Sequence, residues 1–246
     1  MGRRDLHVHT TFSDGANTPA EMVLTALAAG LDTIGFSDHA YTSIDESYCM
    51  PRSRVQEYRT EIARLRWDYR GRIEILCGIE QDYWSDDPAQ GYDYVIGSVH
   101  YVEKDGVCLP VDESPEILRA GCEELFGGDP YALVRAYYAL EADVVRRTGA
   151  HIIGHFDLIT KFLERDPLFD ERDPRYRRAW QAAADALLAT GAVFEINTGA
   201  MARGCRTDPY PSREIRDYLR RKGAEFILSS DSHRADGLCH AFDTII

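Results

Sequence analysis

The sequence lacks any apolar run near the roughly 18 residues that a membrane-spanning helix needs. Its first residues lack the apolar core of a secretory signal. It also contains no linker, internal repeat or low-complexity stretch. These absences predict a cytoplasmic chain without a membrane partner, folded as a single domain over residues 1–246.

Basic residues are scarce beside acidic ones, 28 against 41, which gives a net charge of −13 at neutral pH. A surface this negative repels the phosphate backbone, so we expect no nucleic-acid partner. The six cysteines include no C-x-x-C pair, and we expect reduced thiols rather than disulfides or a zinc clamp. The composition leaves the oligomeric state open.

What is present is a recurring unit, in which a strand-length apolar run precedes a helix-length segment. The runs are rich in Val, Ile and Phe, as is typical of strands buried on both faces. They span residues 5–9, 33–37, 73–80, 94–100, 151–157, 192–198 and 225–231. Helix signals mark 19–29, 53–69, 130–149, 174–190 and 213–223, and a hairpin turn is expected at Asp105-Gly106. This alternation predicts an α/β fold with parallel strands.

Nearly every predicted strand ends in a side chain that commonly binds metals, and six of the eight histidines lie at these ends. Both an open doubly wound sheet and a closed barrel fit the order of elements. An open sheet would spread seven strand ends over about 30 Å, at about 4.8 Å per strand. A parallel barrel instead brings all the ends to one mouth. We therefore predict a barrel of seven strands.

The polar residues at these ends have the chemistry of a metal site. His7 and His9 are two apart on one strand, so both imidazoles face the same way, and Glu80 can bridge two cations. Imidazole with carboxylate suits Zn, Mn or Fe better than Mg or Ca. Without a cation, burial would cost about 1–3 kcal/mol for each unsatisfied group. The predicted metal ligands are His7, His9, Asp14, His39, Glu80, His100, His155, Asp231 and His233.

Seven motifs follow one another along the chain. They are H-x-H-T-x-x-S-D-G at 7–15, F-S-D-H at 36–39, G-I-E at 78–80, G-S-V-H at 97–100, G-H-F-D at 154–157, E-I-N-T at 195–198 and S-D-S-H at 230–233. As an ordered set they resemble the polymerase-and-histidinol-phosphatase (PHP) family, most of all its histidinol-phosphatase branch. The resemblance implies a distorted (β/α)7, TIM-like barrel that holds three divalent metal ions, Zn, Mn or Fe.

The resemblance also implies an activity: a metal-dependent phosphomonoesterase that hydrolyses L-histidinol phosphate in histidine biosynthesis, by attack of a metal-bridging hydroxide on phosphorus. Carried over by motif, one ion falls to His7, His9, Glu80 and Asp231, a second to Glu80, His100 and His155, and the third to Asp14, His39 and His233. Asp231 or His233 is expected to carry the proton to the leaving oxygen.

Two basic residues are expected to complete a phosphate pocket. Lys161 lies just past the fifth strand and Arg203 just past the sixth, with Arg206 as a competitor for Arg203. Candidates for the organic end of the substrate are Asp45, Glu46, Tyr48, Asp82 and Tyr83. Two alternatives stay open: a nucleotide phosphatase or exonuclease of the same family, and a catalytically silent metal-binding module.

Overall fold

The computed structural model describes residues 2–245. Its strands are β1 Arg4–Asp5, β2 Thr33–Phe36, β3 Glu74–Asp82, β4 Tyr94–Ser98, β5 Tyr101–Lys104, β6 Val107–Pro110, β7 Ile152–Ile153, β8 Val193–Asn197 and β9 Phe226–Ser229. Its α-helices are α1 Pro19–Ala28, α2 Val55–Asp68, α3 Pro115–Phe126, α4 Pro130–Glu141, α5 Val144–Thr148, α6 Pro174–Leu188, α7 Gly199–Ala202 and α8 Arg213–Arg221. Short 3-10 helices span Arg52–Arg54, Leu158–Thr160 and Ala235–Gly237.

Seven parallel strands form the barrel in the order β1-β2-β3-β4-β7-β8-β9. The ring closes through one parallel bridge between Val8 and Ser232. There the His9 N–H donates to the Ser232 carbonyl (2.9 Å), and the Ser232 N–H donates to the His7 carbonyl (3.1 Å). The predicted seven-stranded barrel is therefore confirmed, with its seam at the carboxyl-terminal mouth.

Apolar side chains fill the inside of the barrel below this mouth. This inner cluster contains Leu6, Tyr94, Ile96, Ile152 and Ile227. The Tyr94 side chain crosses β3 and β2, and its hydroxyl donates to the Leu6 carbonyl (2.6 Å). It fits there because the strands beneath it carry Gly35 and Gly78, where an added Cβ would overlap the tyrosine. Two larger apolar clusters pack the helices against the outside of the barrel.

Most predicted elements are present. Six of the seven predicted strands are shorter in the structure, whereas β3, Glu74–Asp82, is one residue longer than the predicted 73–80. The first and fifth predicted strands, 5–9 and 151–157, shrink to Arg4–Asp5 and Ile152–Ile153, because the residues that follow them leave the ladder at the mouth. The Asp105-Gly106 hairpin is confirmed: both residues have positive φ (53° and 82°), as a two-residue turn between paired strands requires.

The helices differ from the prediction in three respects, among them the expected capping of the helix 213–223 by Ser212. The predicted helix 130–149 is two helices, because the Asp143 N–H donates to Leu140 only three residues back and the chain turns there. Ser212 makes no capping hydrogen bond within residues 2–245; its N–H donates to Asp157 Oδ2 instead (2.8 Å). Helix α3 was not predicted, although Ser114 caps it.

The six cysteines are free thiols, as their spacing predicts. Among residues 2–245, no helix combines the length and the apolar character that crossing a membrane requires.

We expect Gly78→Ala to lower the free energy of unfolding by about 1–3 kcal/mol, because the new Cβ would press on the Tyr94 ring inside the barrel. Urea titration followed by circular dichroism measures the change. Leu24→Ala, on the exposed side of α1, is the matched control and should shift the midpoint little. Equal stability of Gly78→Ala and the parent protein would contradict the packing described for Tyr94.

Candidate metal centre

All nine predicted ligands lie at the carboxyl-terminal mouth of the barrel. Glu80 is within β3, and the others follow strand ends: His7, His9 and Asp14 after β1, His39 after β2, His100 after β4, His155 after β7, and Asp231 and His233 after β9. Their convergence follows from topology, since parallel strands open all their carboxyl ends on one face.

Glu80 is the central carboxylate, and it is only 1% exposed. Its Oε2 atom lies 3.1 Å from His7 Nε2 and 3.0 Å from His39 Nδ1. The same oxygen lies 3.5 Å from His9 Nε2. Backbone pairing fixes part of this geometry, because His39 forms a parallel bridge with Glu80. One carboxylate oxygen therefore faces three imidazoles.

The second oxygen of Glu80 faces a different pair of histidines. Oε1 lies 3.0 Å from His155 Nε2 and 3.7 Å from His100 Nε2. It also accepts a hydrogen bond from the Ser98 hydroxyl (2.6 Å). Glu80 thus lies between two groups of histidines, in the position that a bridging ligand would need.

Asp231 approaches the first group from β9. Its Oδ1 atom lies 3.3 Å from His9 Nε2 and 3.7 Å from His7 Nε2. Its other oxygen accepts from Arg203 Nη2 (3.0 Å). The backbone of Asp231 has a φ of 49°, in the left-handed region that non-glycine residues avoid. Such strain is concentrated at functional sites.

Asp14 lies at the outer edge of the cluster. Its Oδ2 atom is 3.2 Å from His233 Nε2. Its Oδ1 atom is 3.8 Å from His39 Nε2 and 3.9 Å from His9 Nδ1. The rings of His9 and His233 stack with their centroids 4.0 Å apart. These four residues form one group whose possible ligand atoms lie within 4.8 Å of one another.

Two further carboxylates orient the histidines from behind. Glu195 Oε1 is 2.7 Å from His7 Nδ1, and its Oε2 accepts from the His155 N–H (3.0 Å). Asp82 Oδ2 is 3.0 Å from His100 Nδ1. Carboxylates in this position hold the ring so that the other nitrogen faces the metal.

Asp82 was a candidate for the substrate's organic end, and this expectation is wrong. The side chain is 3% exposed and lies beneath His100. Glu195, the first residue of the E-I-N-T motif, has no role in the sequence-based prediction. Strand periodicity could have indicated Asp82, because it lies two residues after Glu80 and faces the same side.

The residues fit a bound cation. Buried atoms without a hydrogen-bond partner in residues 2–245 include His7 Nε2, both ring nitrogens of His9, and Glu80 Oε2. Each unsatisfied buried group costs about 1–3 kcal/mol. A cation between these atoms would satisfy them together, and a mixed imidazole and carboxylate set suits zinc, manganese or iron.

Without a cation, the carboxylates of the cluster hold protons on some of its histidines. Burial would lower the pKa of His7, but Glu195 and Glu80 raise it well above its usual value. Burial would also lower the pKa of His100, but Asp82 and Glu80 raise it to about 10. A bound divalent ion would replace these protons.

Burial lowers the pKa of His9 to about 3, helped by the neighbouring His233 and His39, so its imidazole is neutral. Burial would raise the pKa of Glu80, but His7 and His39 outweigh it and hold this pKa well below its usual value. A neutral imidazole and an ionised carboxylate are the forms that coordinate metals.

The cluster forms the floor of a cavity of about 530 Å³. Lys161 and Arg203 both line it, and Lys161 Nζ lies 2.7 Å from the Asp112 carbonyl and 3.0 Å from Asp112 Oδ2. Arg206 is instead buried against Thr160, to whose carbonyl its Nη1 donates (3.2 Å). Of the two competing arginines, Arg203 is the one that reaches the cavity.

The remaining candidates for the organic end divide in the same way. Asp45 and Tyr48 line the cavity. The other two point to partners elsewhere: Glu46 accepts from the Tyr41 hydroxyl (2.6 Å), and the Tyr83 hydroxyl donates to Asp143 (3.0 Å).

Comparison with known proteins agrees with this geometry. The family model described as the PHP domain matches residues 5–199. A probable histidinol-phosphatase of Deinococcus radiodurans is 31% identical over 244 residues, covering 95% of this chain and 87% of that protein. The histidinol-phosphatase of Bacillus subtilis is 25% identical over 273 residues, covering 100% of this chain and 99% of that protein.

Solved structures share the fold. A Listeria monocytogenes protein assigned to the histidinol phosphatases superposes with a TM-score of 0.86 at 20% identity, covering 99% of this chain and all of that one. Histidinol phosphate phosphatase from Lactococcus lactis, solved with zinc, L-histidinol and phosphate, gives 0.71 at 23% identity, covering 95% and 87%. Since the family model spans well over half of the sequence, the chain belongs to the PHP family.

Proposed function

We propose that this protein is a metal-dependent phosphomonoesterase that hydrolyses L-histidinol phosphate to L-histidinol and phosphate. The observation that carries the proposal is the convergence of six histidines and three carboxylates in one cluster. Seven of these nine side chains line a cavity that Lys161 and Arg203 also line. The relatives from Deinococcus radiodurans and Bacillus subtilis carry histidinol-phosphatase names, and the Lactococcus lactis enzyme was solved with the two products and zinc.

We further propose that the site holds three divalent ions, zinc, manganese or iron. The ligand sets are His7, His9, Glu80 and Asp231 for one ion, Glu80, His100 and His155 for a second, and Asp14, His39 and His233 for the third. The distances between these side chains support the sets. His9 and His39 each also approach a neighbouring set, as expected where ions share one compact cluster.

When bound, divalent ions would lower the pKa of a water molecule so that it can act as the nucleophile, and they would neutralise charge on the phosphoryl group. In our proposal, Lys161 and Arg203 orient the phosphate from the cavity wall. Both cations are held by carboxylates, Lys161 by Asp112 and Arg203 by Asp231. The partner carboxylate already compensates the cost of removing each cation from water. Each cation can therefore turn toward a bound phosphate at little further cost.

We assign the proton for the leaving oxygen to His233 rather than Asp231, on the ring nitrogen that would not bind the third ion. Burial would raise the pKa of Asp231, but Arg203 and His7 outweigh it and hold this pKa well below its usual value. Asp231 therefore has no proton to give at neutral pH. The His233 side chain is 26% exposed, at the open edge of the cluster, and it lines the cavity.

We also propose that the whole chain acts as one metallophosphatase domain for small substrates. The part beyond the family match contributes β9, Asp231 and His233 to the same barrel and site. Met1 and Ile246 lie outside the described residues.

The activity is tested directly with protein loaded with manganese or zinc. We expect release of phosphate from L-histidinol phosphate, loss of activity in EDTA, and its return when the metal is restored. If the protein hydrolyses nucleotide monophosphates but does not hydrolyse L-histidinol phosphate, the nucleotide alternative is favoured. Fully loaded protein that hydrolyses no phosphomonoester would favour the silent metal-binding module.

Glu195→Gln should weaken metal binding by about 10–100-fold, because the His7 ring loses the charge that orients it. Metal content after dialysis against a graded chelator measures the loss. Glu225→Gln, which removes an exposed carboxylate directly before β9, is the matched control and should retain the parent's metal content. Full metal retention by Glu195→Gln would count against an orienting role.

Lys161→Met should raise KM about tenfold for every phosphomonoester tested, because a charge-assisted contact with phosphate is lost whatever the alcohol. Steady-state kinetics with two unrelated esters measure this. Lys104→Met, on the exposed hairpin, controls for the change in net charge. An unchanged KM would remove Lys161 from the phosphate pocket.

A further inference from the structure

A second set of side chains lines the cavity outside the candidate metal groups. Its members are Asp45, Ser47, Tyr48, Tyr101, Asp112 and Glu113. They come from the loop after β2 and from the hairpin β5–β6 with the residues that follow it. This part of the cavity is therefore acidic and aromatic, whereas Lys161 and Arg203 provide its basic part.

Asp45 presents a negative charge that the protein does not neutralise. Its Oδ1 atom accepts the Ser47 N–H (2.8 Å), which fixes the carboxylate in the loop. Within residues 2–245, no basic side chain lies within 4 Å of it. Asp112 differs, because Lys161 is paired with it. Asp45 is thus a fixed anion with its charge available to a ligand.

Tyr48 offers a hydroxyl without a well-aligned partner. Its Oη atom is buried and forms no well-aligned hydrogen bond within residues 2–245, where the Tyr101 side chain is a polar neighbour. The ring is held edge-on to His39, with centroids 4.8 Å apart, and lies 6.4 Å from the Tyr101 ring. Buried hydroxyls in folded proteins are normally hydrogen-bonded, so this one points to a ligand.

We propose that Asp45 and Tyr48 bind the organic group of the substrate and select phosphomonoesters whose organic group is cationic. This inference rests on the proposed function, because the same cavity must hold the ester's phosphate. Asp45 would pair with the cation, and the Tyr48 hydroxyl would donate to a neutral acceptor. L-histidinol phosphate carries both, a protonated amine and an imidazole nitrogen.

Two substrates separate this role from phosphate binding: L-histidinol phosphate, with a cationic organic group, and p-nitrophenyl phosphate, with a neutral one. In manganese-loaded protein, Asp45→Asn should raise KM for L-histidinol phosphate about tenfold or more and change kcat little. Tyr48→Phe, which keeps the ring, should raise it less. Both variants should hydrolyse p-nitrophenyl phosphate like the parent, within about twofold.

Asp105→Asn makes the same change in charge at the exposed hairpin tip and should alter neither substrate's kinetics. The inference is overturned if Asp45→Asn leaves KM for L-histidinol phosphate unchanged, or if it impairs both substrates equally. Retained metal content and p-nitrophenyl phosphate turnover show that the variants are folded and loaded.

A second pair of esters keeps this test independent of the proposed substrate. If the parent protein does not hydrolyse L-histidinol phosphate, the proposed function fails. Selectivity is then measured as the ratio of kcat/KM for O-phosphoethanolamine, which is cationic, to that for glycerol 2-phosphate, which is neutral. A fall in this ratio of about tenfold in Asp45→Asn supports the inference, and an unchanged ratio overturns it.

Discussion

The site depends on one buried carboxylate. Glu80 is enclosed by the barrel and lies within 4 Å of five histidines, three facing one oxygen and two facing the other. An anion in this position is stable only if positive charge surrounds it. Protonated imidazoles can supply that charge, and so can divalent ions. The buried ring nitrogens of His9 and the Nε2 atom of His7 lack hydrogen-bond partners within residues 2–245, and an ion at this position would satisfy them together with Glu80.

The same constraint explains how a protein of net charge −13 could attract a phosphate dianion. The two basic residues at the cavity are each already paired with a carboxylate. Lys161 and Arg203 would therefore orient the phosphate but add little to the net charge of the cavity. The attraction in our proposal comes from ions on the floor, and the unpaired Asp45 then favours an ester whose other end is positive. Opposite charges at the two ends of one cavity would orient the substrate as well as select it.

The sequence predicts the barrel and the ligand set because both follow from local rules. His7 and His9 face one side through the two-residue period of a strand, and a parallel barrel gathers strand ends whatever the loops do. The role of Glu195 depends on which ring nitrogen it faces, which spacing does not encode. Which arginine lines the cavity, Arg203 or Arg206, likewise depends on the conformation of the loop after β8, which the sequence does not reveal. Asp82 was within reach of the sequence, because the two-residue period of β3 places it on the same side as Glu80. The same holds for helix α3, since its Ser114-Pro115 start was visible in the sequence.

The barrel seam joins the two ends of the fold at the site itself. Val8 pairs with Ser232, and the flanking residues include His7, His9, Asp231 and His233. A nascent chain emerging from the ribosome therefore exposes its first histidines long before their partners exist. Until the last strand has been synthesised, the early ligands form only an incomplete metal-binding site of lower affinity. Loading with metal and closure of the ring should then occur as one late event in biogenesis.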